Sequence, residues 1–334
     1  MPSIGELVGG MLDKGYQRAA DATLRAIEQT SVNPLVSQRL RELEAEAARL
    51  TEKGEKLKPD NAVLRALIAD MEPGLNASAR LLDNSASGLQ EASSGLAANA
   101  TRQLALPGLN DAQLAQMGIK WNQPDPEAVN ALVNYADKPA WTDELANYPG
   151  LTLDTLRNQA IRGMAEGWGP NRVAMSISRI ATTLPLAQAQ MLTRTLYLES
   201  YRSATAANQL ANADILEKQI RIEVLDDRIC LACLALHGTE MRVGEKVKEH
   251  HAGRGTSIAV VRGRPRTVQT GEQWFEALGS TEEGRKRQQT IAGPGAYEAL
   301  KSGKAQLQDF VQSYTDPVFG EMVREASLKS MGVR

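Results

Sequence analysis

The N-terminal part of the chain alternates apolar and polar positions with the period of a helix. Val36, Leu40, Leu43 and Ala47 recur at steps of three and four residues, which places them on one helical face. Arginine and glutamate occupy most of the positions between them, so we expect the opposite face to be exposed to solvent. The pattern extends from Gly5 to about Asp70 and predicts one or two helical hairpins.

A seven-residue repeat begins after Pro73 and Gly74. Its large positions are leucines, and an alanine follows most of them four residues later. A helix with one large and one small residue per heptad can approach a neighbouring helix closely. The flanking positions are mostly serine, asparagine and glycine, so we expect protein on more than one side. We interpret the repeat as an oligomer-packing surface, with a hairpin inside the chain as the alternative; its leucines are Leu75, Leu82, Leu89 and Leu96.

Prolines interrupt the helical pattern in the following stretch, the last time at Pro149-Gly150. We expect a linker with short helices there, docked onto a helical layer by Trp121 and Trp141. Beyond the linker, Pro170 suits the first turn of a helix, and Pro185 is expected to open a second, longer one.

The period changes in the C-terminal half of the chain. Ile220 and Ile222 alternate with charged residues, which is typical of a strand with one buried and one exposed face. Further short strands are expected at residues 240–243 and 257–261, and a helical tail is expected at residues 271–334.

These patterns predict a mainly α protein with a small β-rich insert in the C-terminal half, an α+β arrangement. The expected segments are an N-terminal helical region (1–106), a proline-rich linker (107–150), a helical segment (151–215), a strand-rich insert (216–270) and the helical tail (271–334).

The composition agrees with helix-on-helix packing. Aromatic residues make up only 4% of the 334 residues, against 42% for all hydrophobic types, so we expect a core of leucine, isoleucine, valine and alanine. The formal net charge of −2 excludes a generally basic surface, so any contact with nucleic acid has to be local. The sequence indicates neither a secretory signal nor a membrane span, and we expect a soluble protein made in a cytoplasm.

The two cysteines, Cys230 and Cys233, have Cys-x-x-Cys spacing and allow three interpretations. A zinc site is one, because all the histidines of the chain follow closely; its candidate ligands are Cys230, Cys233 and His250. The usual second ligand pair is missing, since residues 252–255 are Ala-Gly-Arg-Gly. Buried thiols without a ligand are the second interpretation, and a redox pair is the third. We expect no cofactor, with structural zinc as the alternative.

The sequence lacks the motifs that usually accompany catalysis. It contains no Gly-x-Ser-x-Gly elbow, no His-Glu-x-x-His and no phosphate-binding Gly-x-x-x-x-Gly-Lys. The acidic pair Asp226-Asp227 is typical of a solvated turn. We therefore predict no catalytic residues and no enzymatic activity.

Basic residues cluster just beyond the cysteines. Such local enrichment in a nearly neutral chain is a candidate surface for phosphate groups or for a protein partner. A solvated loop rim, or ion pairs with an acidic partner, is the alternative. The candidate residues are Arg242, Lys246, Lys248, Arg254, Arg262, Arg264 and Arg266.

Residues 227–238, Asp-Arg-Ile-Cys-Leu-Ala-Cys-Leu-Ala-Leu-His-Gly, resemble a block of the phage Mu F-like minor head proteins of tailed bacteriophages. Members of this family carry a second block, His-x-x-Cys-Arg-Cys. In this sequence the second block falls at residues 250–256, where the histidine and Arg254 remain and both cysteines are replaced, by Gly253 and Gly255. Weaker similarity at residues 167–204 and 270–304 extends the resemblance over about residues 150–315.

The resemblance implies a minor head protein, present in few copies at the portal vertex or in the capsid interior of the virion. It implies a role in head assembly and in DNA packaging or ejection. The implied partners are the portal protein or other head proteins, packaged double-stranded DNA, and further copies of the chain arranged as a homo-oligomer or around a ring. The alternatives are a zinc-knuckle-like DNA-binding module without a virion role and a domain that delivers a toxin.

Overall fold

The computed structural model describes residues 4–31, 34–58, 60–135 and 137–333. Helix accounts for 64% of the structure and strand for only 8%, which confirms a mainly α protein with a small β insert in the C-terminal half. The chain divides into two compact units. Unit 1 combines the chain up to Arg18 with Gln90–Tyr135 and the part from Thr195 onward, whereas unit 2 comprises Ala19–Leu89 and the part that ends at Arg194.

Long helices dominate the part of the chain that precedes the first strand. Three of the four unit boundaries fall inside helices, namely α1, α3 and α7. In chain order the helices of this part are α1 (Ile4–Ser31), α2 (Pro34–Glu52), α3 (Ala62–Ala105), α4 (Asp111–Gln116), α5 (Pro126–Val133), α6 (Pro139–Ala165) and α7 (Pro170–Leu210).

Two helix boundaries predicted at prolines are wrong. Helix α6 continues through Pro149 and α7 continues through Pro185, so the two helices expected after Pro170 are one. A proline inside a helix removes one backbone donor and disfavours the helix locally. Within unit 2 the Tyr148 hydroxyl donates to the Pro185 carbonyl oxygen (2.9 Å), so a tertiary contact supports the helix where its sequence is weakest. Pro170 begins α7, as predicted.

The heptad leucines of α3 are covered by the chain itself. Leu75, Leu82 and Leu89 are each at most 2% exposed, and Leu96 is half-buried. In unit 1, a Cβ atom added at Gly15 of α1 would lie 2.9 Å from the Leu96 side chain, so α1 and α3 approach closely there. Packing inside the chain therefore accounts for these leucines, and the first three offer no exposed surface to a second subunit.

A three-stranded antiparallel sheet follows α7 in unit 1. Strand β1 (Leu216–Ile222) lies between β2 (Glu240–Met241) and β3 (Thr256–Val261), close to the three predicted positions. The expected exposed face of β1 is wrong, because Arg221 is only 4% exposed. On the aliphatic face, Ile220 packs with residues of β3, and the opposite face carries buried polar groups.

Helices and a hairpin complete unit 1. The helices are α8 (Leu231–Leu236), α9 (Gly271–Leu278) and α10 (Glu282–Lys301), and the chain then forms a short 3-10 turn (Leu307–Phe310). Strands β4 (Val311–Asp316) and β5 (Gly320–Glu325) pair in an antiparallel hairpin, so the prediction of a wholly helical tail is wrong. The Asp316 carboxylate accepts hydrogen bonds from the backbone of Val318 and Phe319 (both 2.9 Å), which closes the hairpin turn.

Candidate functional site

The Cys-x-x-Cys turn lies where several elements of unit 1 meet. It begins at the residue that caps α8, continues into the first turn of that helix, and faces the loop of residues 242–255 that joins β2 to β3. A cavity of about 190 Å³ adjoins it, lined in part by Cys230, His250 and Arg254. The loop also reaches α7, since the backbone amide of Ala252 donates to the Thr195 hydroxyl (2.9 Å).

Asp226 fixes the turn that leads into α8. Its carboxylate accepts two hydrogen bonds from the Arg254 guanidinium (2.6 and 2.7 Å) and one from the backbone amide of Arg228 (3.0 Å). The Arg254 hydrogen bonds hold the pKa of Asp226 well below its usual range. Asp226 therefore links the Cys-x-x-Cys turn to the loop of residues 242–255. The prediction that this acid lies in a solvated turn did not include that ion pair.

The structure brings together the three residues predicted as metal ligands. One donor atom from each of Cys230, Cys233 and His250 lies within 4.8 Å of the other two. The Cys233 thiol also donates a hydrogen bond to Glu249 Oε1 (3.2 Å). We call Cys230, Cys233, Glu249 and His250 the cysteine centre.

Hydrogen bonds orient the groups of the cysteine centre. Cys230 caps α8, where its sulfur accepts a hydrogen bond from the backbone amide of Cys233 (3.3 Å). His250 Nδ1 lies 2.8 Å from the carbonyl oxygen of His251, which can only accept, so Nδ1 is the protonated nitrogen. In a neutral ring this leaves the lone pair on His250 Nε2.

The thiols of the cysteine centre differ in acidity. The adjacent Cys233 thiol, followed by His250, lowers the pKa of Cys230 to about 5. The contact with Cys230, burial and the charge of Glu249 all raise the pKa of Cys233. Burial disfavours the charged form of His250, yet Cys230 and Glu249 outweigh it and raise the pKa of His250 to about 9. The surroundings therefore favour the charged forms of Cys230 and His250.

A buried charge network lies next to the cysteine centre. Arg221 Nε donates to Glu223 Oε1 (2.6 Å), Arg221 Nη2 donates to Glu249, and Arg221 Nη1 donates to the Lys248 carbonyl oxygen (2.9 Å). Burial raises the pKa of Glu223 to about 8. Burial acts in the same direction on Glu249, but the charges of Arg221, His250 and Arg202 together outweigh it, and the pKa of Glu249 is lowered. Both carboxyl groups therefore accept a hydrogen bond from Arg221, but the pKa of Glu223 is raised and that of Glu249 is lowered.

Helix α7 adds a second set of buried charges. Arg202 is 2% exposed and donates to Glu199 Oε1 (2.6 Å), to the Gly255 carbonyl oxygen (2.8 Å) and to that of Gly253. The other oxygen of Glu199 accepts from the Lys246 ammonium (2.9 Å). Arg202 thereby fastens the loop of residues 242–255 to α7.

The two glycines in the loop have a steric reason. A Cβ atom at Gly253 would lie 2.0 Å from Glu249 Oε2, and one at Gly255 would lie 2.3 Å from Glu223 Oε1. Gly253 and Gly255 are the positions at which the resembled family has cysteines. Buried carboxylates occupy the space that those side chains would need, which explains physically why glycine stands at both positions.

The predicted basic residues have different surroundings. Lys246 and Arg254 are internal ion-pair partners of Glu199 and Asp226, so they do not belong to an exposed patch. Lys248 pairs with Glu321 on the hairpin. The remaining four residues lie nearer the surface: Arg242, Arg262 and Arg264 are exposed, and Arg266 is half-buried with a hydrogen bond to the Leu104 carbonyl oxygen.

Sequence reasoning missed the carboxylates of the site. Glu223 alternates with apolar residues at the end of β1 and was therefore expected on an exposed face. Glu249 directly precedes His250, a signal that could have marked it as a candidate ligand. Glu199 and Arg202 lie three residues apart on α7, a spacing that is also common for exposed pairs.

Comparison with family models, curated proteins and solved structures found no match in any of the three. Among the described residues, no helix combines the length and the apolar character that crossing a membrane requires.

Proposed function

We propose that this protein is a minor head protein of a tailed bacteriophage. In this proposal it is a structural virion component at the portal vertex or in the capsid interior. It assists head assembly and DNA packaging or ejection, and it has no catalytic activity.

The observation that supports the proposal is the convergence of separate stretches that carry the family resemblance. The first block, residues 227–238, and the second block, residues 250–256, meet at the cysteine centre, and the residue just before the first block, Asp226, pairs with Arg254 of the second. The blocks are about a dozen residues apart in sequence, and nothing in their spacing alone requires them to touch.

Two further stretches of the resemblance reach the same place. The α7 stretch contributes Arg202, which binds the carbonyl oxygens of Gly253 and Gly255. The downstream stretch, which begins at Thr270, includes Gly271, whose amide donates to the carbonyl oxygen of His237 (3.1 Å). A Cβ atom at Gly271 would lie 1.9 Å from the Leu234 carbonyl oxygen, so α8 and α9 touch through their backbones. Motifs that form one packed centre are expected to belong to one family fold.

The chemistry of the centre favours a scaffold role. Its buried charges pair with each other and with backbone carbonyl oxygens, which holds a long loop in one conformation. The internal pairing of Lys246 and Arg254 weakens the case for this region as a DNA-binding module. We therefore propose the portal protein or other head proteins as the main partners, with DNA contact limited to exposed residues such as Arg262 and Arg264.

The test is the composition of purified phage particles. Quantitative mass spectrometry is expected to find the chain in intact virions at a small copy number relative to the major capsid protein. Phages that carry Arg202→Met should assemble fewer DNA-filled heads, whereas the exposed-site control Lys286→Met should behave as wild type. A chain that is absent from virions but abundant in the free lysate would refute the proposal.

A further inference from the structure

We propose that the cysteine centre is a structural zinc site in which Glu249 supplies the fourth ligand, beside Cys230, Cys233 and His250. The inference is independent of the virion role, because it rests only on the donor atoms and their surroundings.

Three of the four donor atoms, those of Cys230, Cys233 and His250, lie at distances that suit one ion, and Glu249 contacts one of them. Cys233 belongs to two groups of possible metal ligands. The first group also contains Cys230 and His250, and the second also contains Glu223 and Glu249. Within each group, the donor atoms all lie within 4.8 Å of one another. A tetrahedral zinc ion with bonds of about 2.0–2.3 Å separates its ligands by about 3.3–3.8 Å. The Cys233 sulfur and Glu249 Oε1 are 3.2 Å apart, and the Glu249 side chain would have to move towards Cys230 and His250 to complete the site.

Glu249, and not Glu223, is placed to complete the site. The Glu249 carboxylate now accepts a hydrogen bond from the Cys233 thiol. Zinc displaces the proton of a ligating thiol, so the metal ion can take the place of that proton between the sulfur and the carboxylate. Arg221 donates to both carboxylates, but only Glu249 has a hydrogen bond to a cysteine of the centre among the described contacts. Glu249 also adjoins His250 in sequence, so both ligands come from one short piece of the loop.

The ligands have the outer hydrogen bonds that zinc sites require. His250 donates from Nδ1 to the carbonyl oxygen of His251, which presents Nε2 to the centre. Arg221 donates to Glu249 and holds that carboxylate in place. The backbone amide of Cys233 donates to the Cys230 sulfur. A zinc site needs such support because it fixes the ligand orientation before the metal arrives.

Charge balance favours a divalent cation. Two thiolates and the Glu249 carboxylate carry three negative charges, which a divalent ion reduces to one. The Arg221 guanidinium donates a hydrogen bond to Glu249 and can balance that remaining negative charge. Two sulfurs and an imidazole select zinc over magnesium or calcium, which prefer oxygen ligands. Four protein ligands leave no open position, so the ion would link α8 to the loop of residues 242–255 without taking part in a reaction.

The test is zinc binding by the full-length protein and matched variants. Reduced protein, stripped with a chelator and then titrated with Zn²⁺ against a competing chelator, should bind one equivalent. Cys230→Ser and His250→Gln should abolish tight binding, and Glu249→Gln should weaken it at least about tenfold. The controls His251→Gln and Glu245→Gln change the neighbouring histidine and an exposed acid of the same loop, and they should bind zinc as wild type does.

A second measurement keeps the assignment testable if Glu249→Gln folds poorly. Co²⁺ bound to the wild-type protein should show the visible absorption of a tetrahedral ion and a charge-transfer band from two thiolates. In Glu249→Cys a third thiolate should strengthen that band. Wild-type zinc affinity in a folded Glu249→Gln, or an unchanged Co²⁺ spectrum in Glu249→Cys, would remove Glu249 from the site. A reduced, folded wild-type protein that binds no zinc would overturn the whole proposal.

Discussion

Replacing Arg202 with methionine tests whether the buried charge network stabilises unit 1. Methionine preserves most of the side-chain volume but donates no hydrogen bond. The substitution leaves Glu199, which is 1% exposed, with Lys246 as its remaining charged partner, and it removes a donor from the carbonyl oxygens of Gly253 and Gly255.

The expected loss of stability follows from these contacts. Removing one partner of a buried ion pair costs about 3–5 kcal/mol, because the other charge remains in a medium of low polarity. Lys246 still neutralises part of the Glu199 charge, so we expect the lower end, about 3 kcal/mol. Folded domains are stable by about 5–15 kcal/mol in total, so this loss is large.

Urea unfolding followed by circular dichroism measures the loss. The midpoint of Arg202→Met should shift strongly with little change in slope. Lys286→Met is the control in the same unit, since it removes an exposed pair with Glu282 and should cost less than about 1 kcal/mol. If Arg202→Met lies within about 1 kcal/mol of wild type, the network does not stabilise the fold and the argument fails.

Two further predictions concern other residues of unit 1. Gly271→Ala should destabilise the protein by about 1–3 kcal/mol, because the added Cβ atom would lie 1.9 Å from the Leu234 carbonyl oxygen. Gly10→Ala places its Cβ atom in open space on α1 and should stabilise the protein by about 0.5–1 kcal/mol, so equal melting temperatures for the two variants would contradict the packing described. Burial and Arg221 lower the pKa of His237 from 6.5 to about 4, and its Nδ1 accepts from the Glu223 amide (2.8 Å), so the unfolded chain binds more protons between these values. Stability should therefore fall as the pH decreases from about 6.5 to about 4, and His237→Gln should lose that part of the pH dependence in chemical unfolding; an unchanged profile would show that His237 is not its source.

The periodic patterns of the sequence were sufficient to predict the class of fold. The apolar face of α2 follows from local spacing, because a helix buries every third or fourth residue, and the start of α7 follows from the preference of proline for the first helical turn. The three strands of the insert were located by their short apolar runs. The hairpin of β4 and β5 was missed, although residues 311–316 contain valine, tyrosine and threonine and precede the turn at Pro317–Gly320.

Where a proline sits inside a helix, local rules gave the wrong result. Pro149 and Pro185 each cost a backbone hydrogen bond, and sequence reasoning has only that cost to consider. The structure adds contacts made elsewhere in unit 2, such as the hydrogen bond from Tyr148 to the Pro185 carbonyl oxygen. The energy of such contacts depends on residues far away in sequence.

The sequence by itself determined the helical class, the place of the insert and the three candidate metal ligands, because these depend on spacing along the chain. Only the tertiary structure decided what surrounds them. Arg221 and Glu223 looked like the exposed side of a strand, yet β1 is central and buries them. The missing fourth donor, Glu249, became a candidate only when the loop of residues 242–255 brought it to Cys233, since ligand geometry is a property of three-dimensional distances and not of sequence spacing.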